Sequence, residues 1–212
     1  MANDLSDTEH LLERLRGGDP QALSDLFERH RKRLRRMVEL RMDTRLQGRV
    51  DASDVLQDAY LDAAAYLDTY LRGTDLPPFL WLRCVVSQRL AICHRRHCGT
   101  KMRDVRQEVS LYRDALPQAS SAALASMLLG RLTSPSNAAI RAENVLRVQE
   151  GLNALEPLDR EVIALRQFEE LSRAETAQVL GITEEAGAKR YMRALRRLKL
   201  VLASLPGGGE GN

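Results

Sequence analysis

Five cations between residues 189 and 197, Lys189, Arg190, Arg193, Arg196 and Arg197, could together hold a polyanion. A guanidinium fork matches phosphate oxygens and the O6/N7 edge of guanine, so nucleic acid is the first partner these residues imply. At 100° per residue they gather on one side of a helix, and Ala188, Tyr191, Leu195, Leu198 and Leu202 fall on the other. Upstream, Ser172 stands three residues before Glu175, the spacing of a reciprocal capping box. Gly181 then ends that helix, Ile182 plugs the turn, and Thr183 is placed to N-cap a second helix running to about Leu202. Two short helices around a tight turn, followed by a basic face, make a DNA-reading helix-turn-helix. One face packs and the opposite one meets phosphates and base edges.

Charge is segregated elsewhere too, beneath a net charge of only +3. Asp51, Asp54, Asp58, Asp62 and Asp68 occupy a stretch without Lys or Arg, and Leu56, Ala59, Tyr60, Ala63, Leu67 and Tyr70 form the apolar stripe opposite. Conversely, Arg89, Arg95, Arg96, Lys101, Arg103 and Arg106 crowd a later segment against the lone acids Asp104 and Glu108. Different surfaces therefore face different partners. Cys93, His94, His97 and Cys98 have metal-binding side chains, but four ligands on one straight helix cannot readily surround a tetrahedral ion, and no metal is assigned. The chain has no Gly-rich phosphate loop, nucleophile elbow or paired-ligand motif at catalytic spacing. It reads as a non-enzyme without cofactors.

The elements that would carry these surfaces are all helical. Apolar periodicity predicts helices over about 7–16, 21–42, 51–71, 79–103, 141–154, 157–169, 172–180 and 184–202, broken at Gly17–Pro20 and at Gly73, Pro77 and Pro78. Between them, Ser, Ala, Pro and Gly dominate about 111–138, which reads as a linker with a short helix around 122–129. The expectation is an all-α chain with a helical domain over 1–110, a flexible linker over 111–138, a helix-turn-helix domain over 139–205 and a disordered tail over 206–212. At 212 residues with 44% hydrophobic content, two small domains fit the length. Three cysteines do not resemble a disulfide framework and read as reduced. No apolar run is long enough to span a bilayer, and Asp4, Asp7, Glu9, Glu13 and Asp19 do not make a signal peptide, so no membrane insertion and a cytoplasmic location are expected.

The order of these parts resembles a bacterial RNA polymerase sigma factor of the extracytoplasmic-function (ECF) group. D-A-S-D-V-L-Q-D-A-Y-L at 51–61 is similar to that family's D-x-x-D-x-x-Q-[DE]-x-[FY]-[LI] element, and L-S-R-A-E-T-A-Q-V-L-G-I-T at 171–183 is similar to its helix-turn-helix. The resemblance implies that Asp51, Asp54, Gln57 and Asp58 grip the clamp helices of the core polymerase's largest subunit. It implies that the helix from Phe79 opens promoter DNA at the −10 element, with Phe79 and Trp81 as stacking surfaces or, for Trp81 equally, as core. Gln88 stands where the family often places a base-reading Asn, and Ile92 where it often has Asp. Arg89, Arg95, Arg96, Lys101 and Arg103 would follow the DNA backbone, and Lys189, Arg190, Arg193, Arg196 and Arg197 would meet the −35 element. An anti-sigma protein is the further partner implied. The alternatives are a helix-turn-helix regulator with an N-terminal sensing or dimerising domain, and a helical adaptor. Neither needs an acidic grip beside two basic faces.

Overall fold

Gly17 and Gly18 stop the first helix: Gly18 turns left-handed at φ +78°, and Asp19 accepts hydrogen bonds from Arg14 Nε (2.8 Å) and from the Gln21 N–H (2.9 Å). The computed structural model describes residues 2–46, 48–73, 76–98, 118–132 and 138–204. The helices are α1 (Ala2–Arg16), α2 (Ala22–Arg41), α3 (Ala52–Gly73), α4 (Pro78–Cys98), α5 (Ser121–Leu132), α6 (Ala138–Asn153), α7 (Pro157–Ile163), α8 (Arg173–Leu180) and α9 (Glu184–Ala203). No strand occurs among the described residues. By its internal contacts the chain divides into two units, Met1–Val38 with Met42–Leu116, and Glu39–Arg41 with Pro117–Asn212.

In the first unit α3 packs along α4. The acidic helix behaves as its pattern demands, burying Val55, Leu56, Ala59, Ala63 and Tyr70 on one side. Its neighbour does not, because every residue from Phe79 to Ser87 is buried. A helix enclosed on all sides carries no amphipathic period. Burial also pushes the Cys84 thiol up to about 11, which keeps it protonated and unreactive.

The second unit gathers Leu124, Ala125 and Leu129 from α5, Val148 and Leu152 from α6, and Ala194 and Leu198 from α9 around Ile163 and Phe168. This corrects the expected linker. The short helix predicted near 122–129 is present, but it is part of the core, and Ala119 just before it is buried as well. Arg160 of α7 fastens its start, donating to Ser121 Oγ (3.1 Å) and Gln118 Oε1 (3.2 Å). The apolar Ala, Leu and Met of this stretch therefore bury surface and offset the entropy of ordering it. Residues 111–117 and 133–137 of the expected linker, the expected tail over 206–212, and residues 99–110 and 205 of the two expected domains lie outside the described residues.

A close approach of α6 to α9 depends on Gly151. A Cβ there would meet the two γ-carbons of Val201 at 2.6 and 2.7 Å. Alanine gains about 0.5–1 kcal/mol in helix propensity, whereas overpacking against a stiff β-branched side chain costs about 1–3 kcal/mol. The overlap wins. Gly151→Ala is expected to lower the unfolding midpoint, and adding Val201→Ala to restore it. Thermal unfolding of the two variants checks this, and a single variant as stable as the parent would refute the packing.

Candidate functional site

The helix-turn-helix is capped at each joint. The Glu175 N–H donates to Ser172 Oγ (3.1 Å) while Glu175 Oε2 accepts from the Ser172 N–H (2.7 Å), closing the box expected for α8. Gly181 adopts φ +62°, which lets the chain turn at the end of α8. The Thr183 hydroxyl then accepts from the Ala186 N–H at 3.2 Å and starts α9. Along α9, Gly187, Ala194 and Leu198 face inward. Ala188, Tyr191 and Leu195, assigned to that face from periodicity, are only partly covered. Gly187 has room for a methyl, since a Cβ would stand 3.7 Å from Ile182 Cδ1.

The five cations of α9 are not equivalent, and this corrects the reading of one outward basic face. Asp159, in the first turn of α7, has a fully buried side chain. Arg193 grips it with Nε on Oδ2 (2.8 Å) and Nη2 on Oδ1 (2.9 Å), and Arg190 Nη1 donates to Oδ1 (2.8 Å) and to Glu156 Oε2 (2.9 Å). A buried carboxylate demands such partners. Hydrogen bonds from Arg193, then Arg190, hold the Asp159 carboxyl below its ordinary range. Arg190 and Arg193 therefore orient α9 on α7, leaving only part of each guanidinium for a ligand. Lys189 pairs with Glu185 at 2.5 Å on the surface, one turn back. Arg196 and Arg197 are exposed on the same helix.

The chain between α7 and α8 adds residues that sequence reasoning missed. Ala164–Phe168 forms a π-helical turn. From it Gln167 donates to the Tyr191 hydroxyl, and the Arg166 guanidinium lies 5.6 Å from the Tyr191 ring centre. Arg166, Arg173 and Tyr191 line one groove with the start of α9. Arg173, exposed in the first turn of α8, extends the cationic surface; its place directly after the cap Ser172 was the available signal.

In the first unit, two of the four acidic-helix residues have structural work. Asp51 Oδ1 accepts from the N–H groups of Ser53 (2.6 Å) and Asp54 (3.0 Å), and Asp54 Oδ2 accepts from the Asp51 N–H (2.9 Å). The pair is a capping box built from two carboxylates. Backbone N–H donors, that of Asp54 foremost, keep the Asp51 carboxyl below its usual range. Gln57 and Asp58 are exposed one turn on, and Gln57 edges a groove with Phe27, Arg31 and Tyr60. The cationic surface of α2, with Arg31, Lys32 and Arg35 exposed, was missed by a reading that stopped at amphipathicity. The basic run from 29 to 36 was its signal.

The residues expected at the −10 element separate. Phe79 and Trp81 are core: Phe79 lies 5.1 Å from the His30 ring with Arg33 over its face at 3.5 Å, and Trp81 stacks on Tyr70 at 4.2 Å and 8°. Neither offers a stacking face, because the start of α4 is enclosed. Arg89 is committed to Asp62, with Nε on Oδ2 at 2.7 Å, and stands 3.6 Å from Asp58, so it joins α4 to α3 instead of following a backbone. Gln88, Ile92 and Arg95 are partly exposed and Arg96 is exposed. Lys101 and Arg103 lie outside the described residues. His94 is buried, with Nε2 accepting from the Asp43 N–H at 3.4 Å, and burial favours its neutral form. No group of three metal-binding side chains occurs among the described residues, a set that does not include the side chains of His97 and Cys98. No described helix is long and apolar enough to cross a membrane.

Comparison with known proteins agrees with this anatomy. The family Sigma-70, region 4 matches residues 146–198, which take in α7, α8 and most of α9. SigD of Mycobacterium tuberculosis, an ECF RNA polymerase sigma factor, is 29% identical over 182 residues, covering 86% of this chain and 77% of SigD. CarQ of Myxococcus xanthus, an RNA polymerase sigma factor, is 27% identical over 92% of this chain and 97% of its own. The solved structure of CnrH in complex with the cytosolic domain of CnrY shares the fold, with a TM-score of 0.52 at 22% identity over 92% of this chain and 96% of CnrH. These relatives span both units, which disfavours a regulator with an unrelated N-terminal domain. Along both units the chain is similar to RNA polymerase sigma factors of the ECF group.

Proposed function

We propose that the first unit binds core polymerase through Asp54, Gln57 and Asp58 of α3, with Asp51 holding the helix start, and that it engages the −10 element through Gln88, Arg95 and Arg96. The second unit docks on −35 DNA through α9, with Arg196 and Arg197 on phosphates or bases and Arg190 and Arg193 setting the helix angle. The carrying observation is the coexistence of an exposed Asp/Gln/Asp stripe on one helix with exposed cations on a capped helix-turn-helix. Two weak modules on one polymerase reinforce each other through effective concentration, so neither needs high affinity alone. The protein acts as a non-enzymatic specificity subunit in the cytoplasm, and an anti-sigma protein is its second class of protein partner. CnrH, solved with the cytosolic domain of CnrY, supports that last reading.

The test is transcription in vitro by bacterial core polymerase, with and without this protein, on a genomic promoter library read by transcript sequencing. Initiation downstream of a shared pair of elements is expected. Asp54→Asn keeps an oxygen for the capping box, so the double variant Asp54→Asn, Asp58→Asn should melt like the parent yet lose core binding, and Asp58→Lys should lose more. Duplex binding without core, and no core-dependent initiation, would replace this reading with that of an ordinary regulator.

A further inference from the structure

The exposed side of α9 is not purely cationic. Ala188 and Met192, one turn apart, form an apolar strip, and Ala188, Lys189, Met192, Arg193, Arg196 and Arg197 line one shallow depression. Met192 is 51% exposed, whereas Ala194 and Leu198 carry the packing of α9 into the core. Isolated apolar residues on a surface usually mean nothing. This one lies within the cations that form the charged face, where a polyanion would bring it against base edges and not against water.

The major groove offers one apolar feature to such a side chain, the C5 methyl of thymine. We propose that Met192 reads a thymine methyl in the −35 element, with Ala188 leaving space beside it, and so sets a base preference that the arginines do not. The inference rests on the reading of α9 as the −35 helix. A thioether chain is unbranched and adaptable, so it can cover a methyl whose position varies slightly with docking. Cytosine and uracil lack that methyl, and each would leave the Met192 side chain facing water.

The experiment uses holoenzyme assembled from core polymerase and the full chain, with promoter duplexes whose −35 element comes from transcript mapping. Each −35 thymine, on either strand, is replaced in turn by deoxyuridine, which removes the methyl and keeps the hydrogen-bonding edges. At one position the wild type should bind about fourfold more weakly, the effect of losing one buried methyl. Met192→Ala should be weaker on thymine and indifferent to the replacement, as a coupled pair requires, and Met192→Leu should keep most of the discrimination. Equal unfolding midpoints would show that the exposed substitutions leave the fold intact. An element without thymine, a wild type that responds at no position, or a response undiminished in Met192→Ala would overturn the proposal. A scrambled −35 element is the separate control. If scrambling leaves binding unchanged, the assignment of α9 fails and takes this inference with it, whereas a −35 dependence without a methyl effect sinks the inference alone.

Discussion

Asp159→Asn is expected to destabilise the second unit by about 1–3 kcal/mol and to blur its choice of −35 sequence. The carboxylate receives one hydrogen bond from Arg190 and two from Arg193. Asparagine keeps one acceptor oxygen and turns an NH2 group toward a guanidinium. Breaking a fully buried pair can cost about 3–5 kcal/mol, but Arg190 and Arg193 have side chains 28% and 45% exposed and can rehydrate. The smaller range, that of leaving a buried polar group without its partner, therefore applies. Freed cations should strengthen non-specific DNA binding and steepen its salt dependence, while a less firmly held α9 loses discrimination between promoters. The pH dependence has a definite sign. The folded carboxyl lies below its unfolded value, so the clasp stabilises fully above the ordinary carboxylate range and is lost as pH falls through the folded value. Urea unfolding between about pH 7 and 3 should show a steeper acid loss for the parent than for Asp159→Asn. Parallel curves would show that the clasp contributes nothing.

Replacing both Arg196 and Arg197 with Ala should leave the fold intact and abolish most of the grip on −35 DNA. Both side chains are exposed, so no packing is lost. Each phosphate neutralised contributes about 0.9 to the slope of log K against log salt, so losing two lowers the slope by about 1.8. Between 50 and 200 mM salt the affinity of the double variant should fall about tenfold less than that of the parent. Arg193→Ala should show the reverse balance, with a larger change in unfolding midpoint than in slope, because its guanidinium is engaged by Asp159. Titrating holoenzyme with promoter duplex across that salt range, beside thermal melts, separates the two roles. A slope unchanged in the double variant would remove Arg196 and Arg197 from the phosphate contacts.

The local chemistry of this chain determines much by itself. Ser172 and Glu175, Gly181 and Thr183 act within a few residues of where they stand, so the start and end of α8 and the start of α9 follow from type and spacing, as do the all-helical class and the acidic stripe of α3. Tertiary contact decided what each charged or aromatic side chain does. Arg190 and Arg193 look no different in sequence from Arg196 and Arg197, yet a carboxylate more than thirty positions earlier claims the first two. Arg89 is taken by Asp62, and Phe79 and Trp81 are enclosed because α4 is buried on every side where it begins. The stretch from 118 to 132, poor in charge and rich in Ala and Leu, belongs to a core only because α6 offers it an apolar face. Helix periodicity and caps depend on neighbours in the chain, whereas exposure and ion pairing depend on neighbours in space, and only folding brings those together.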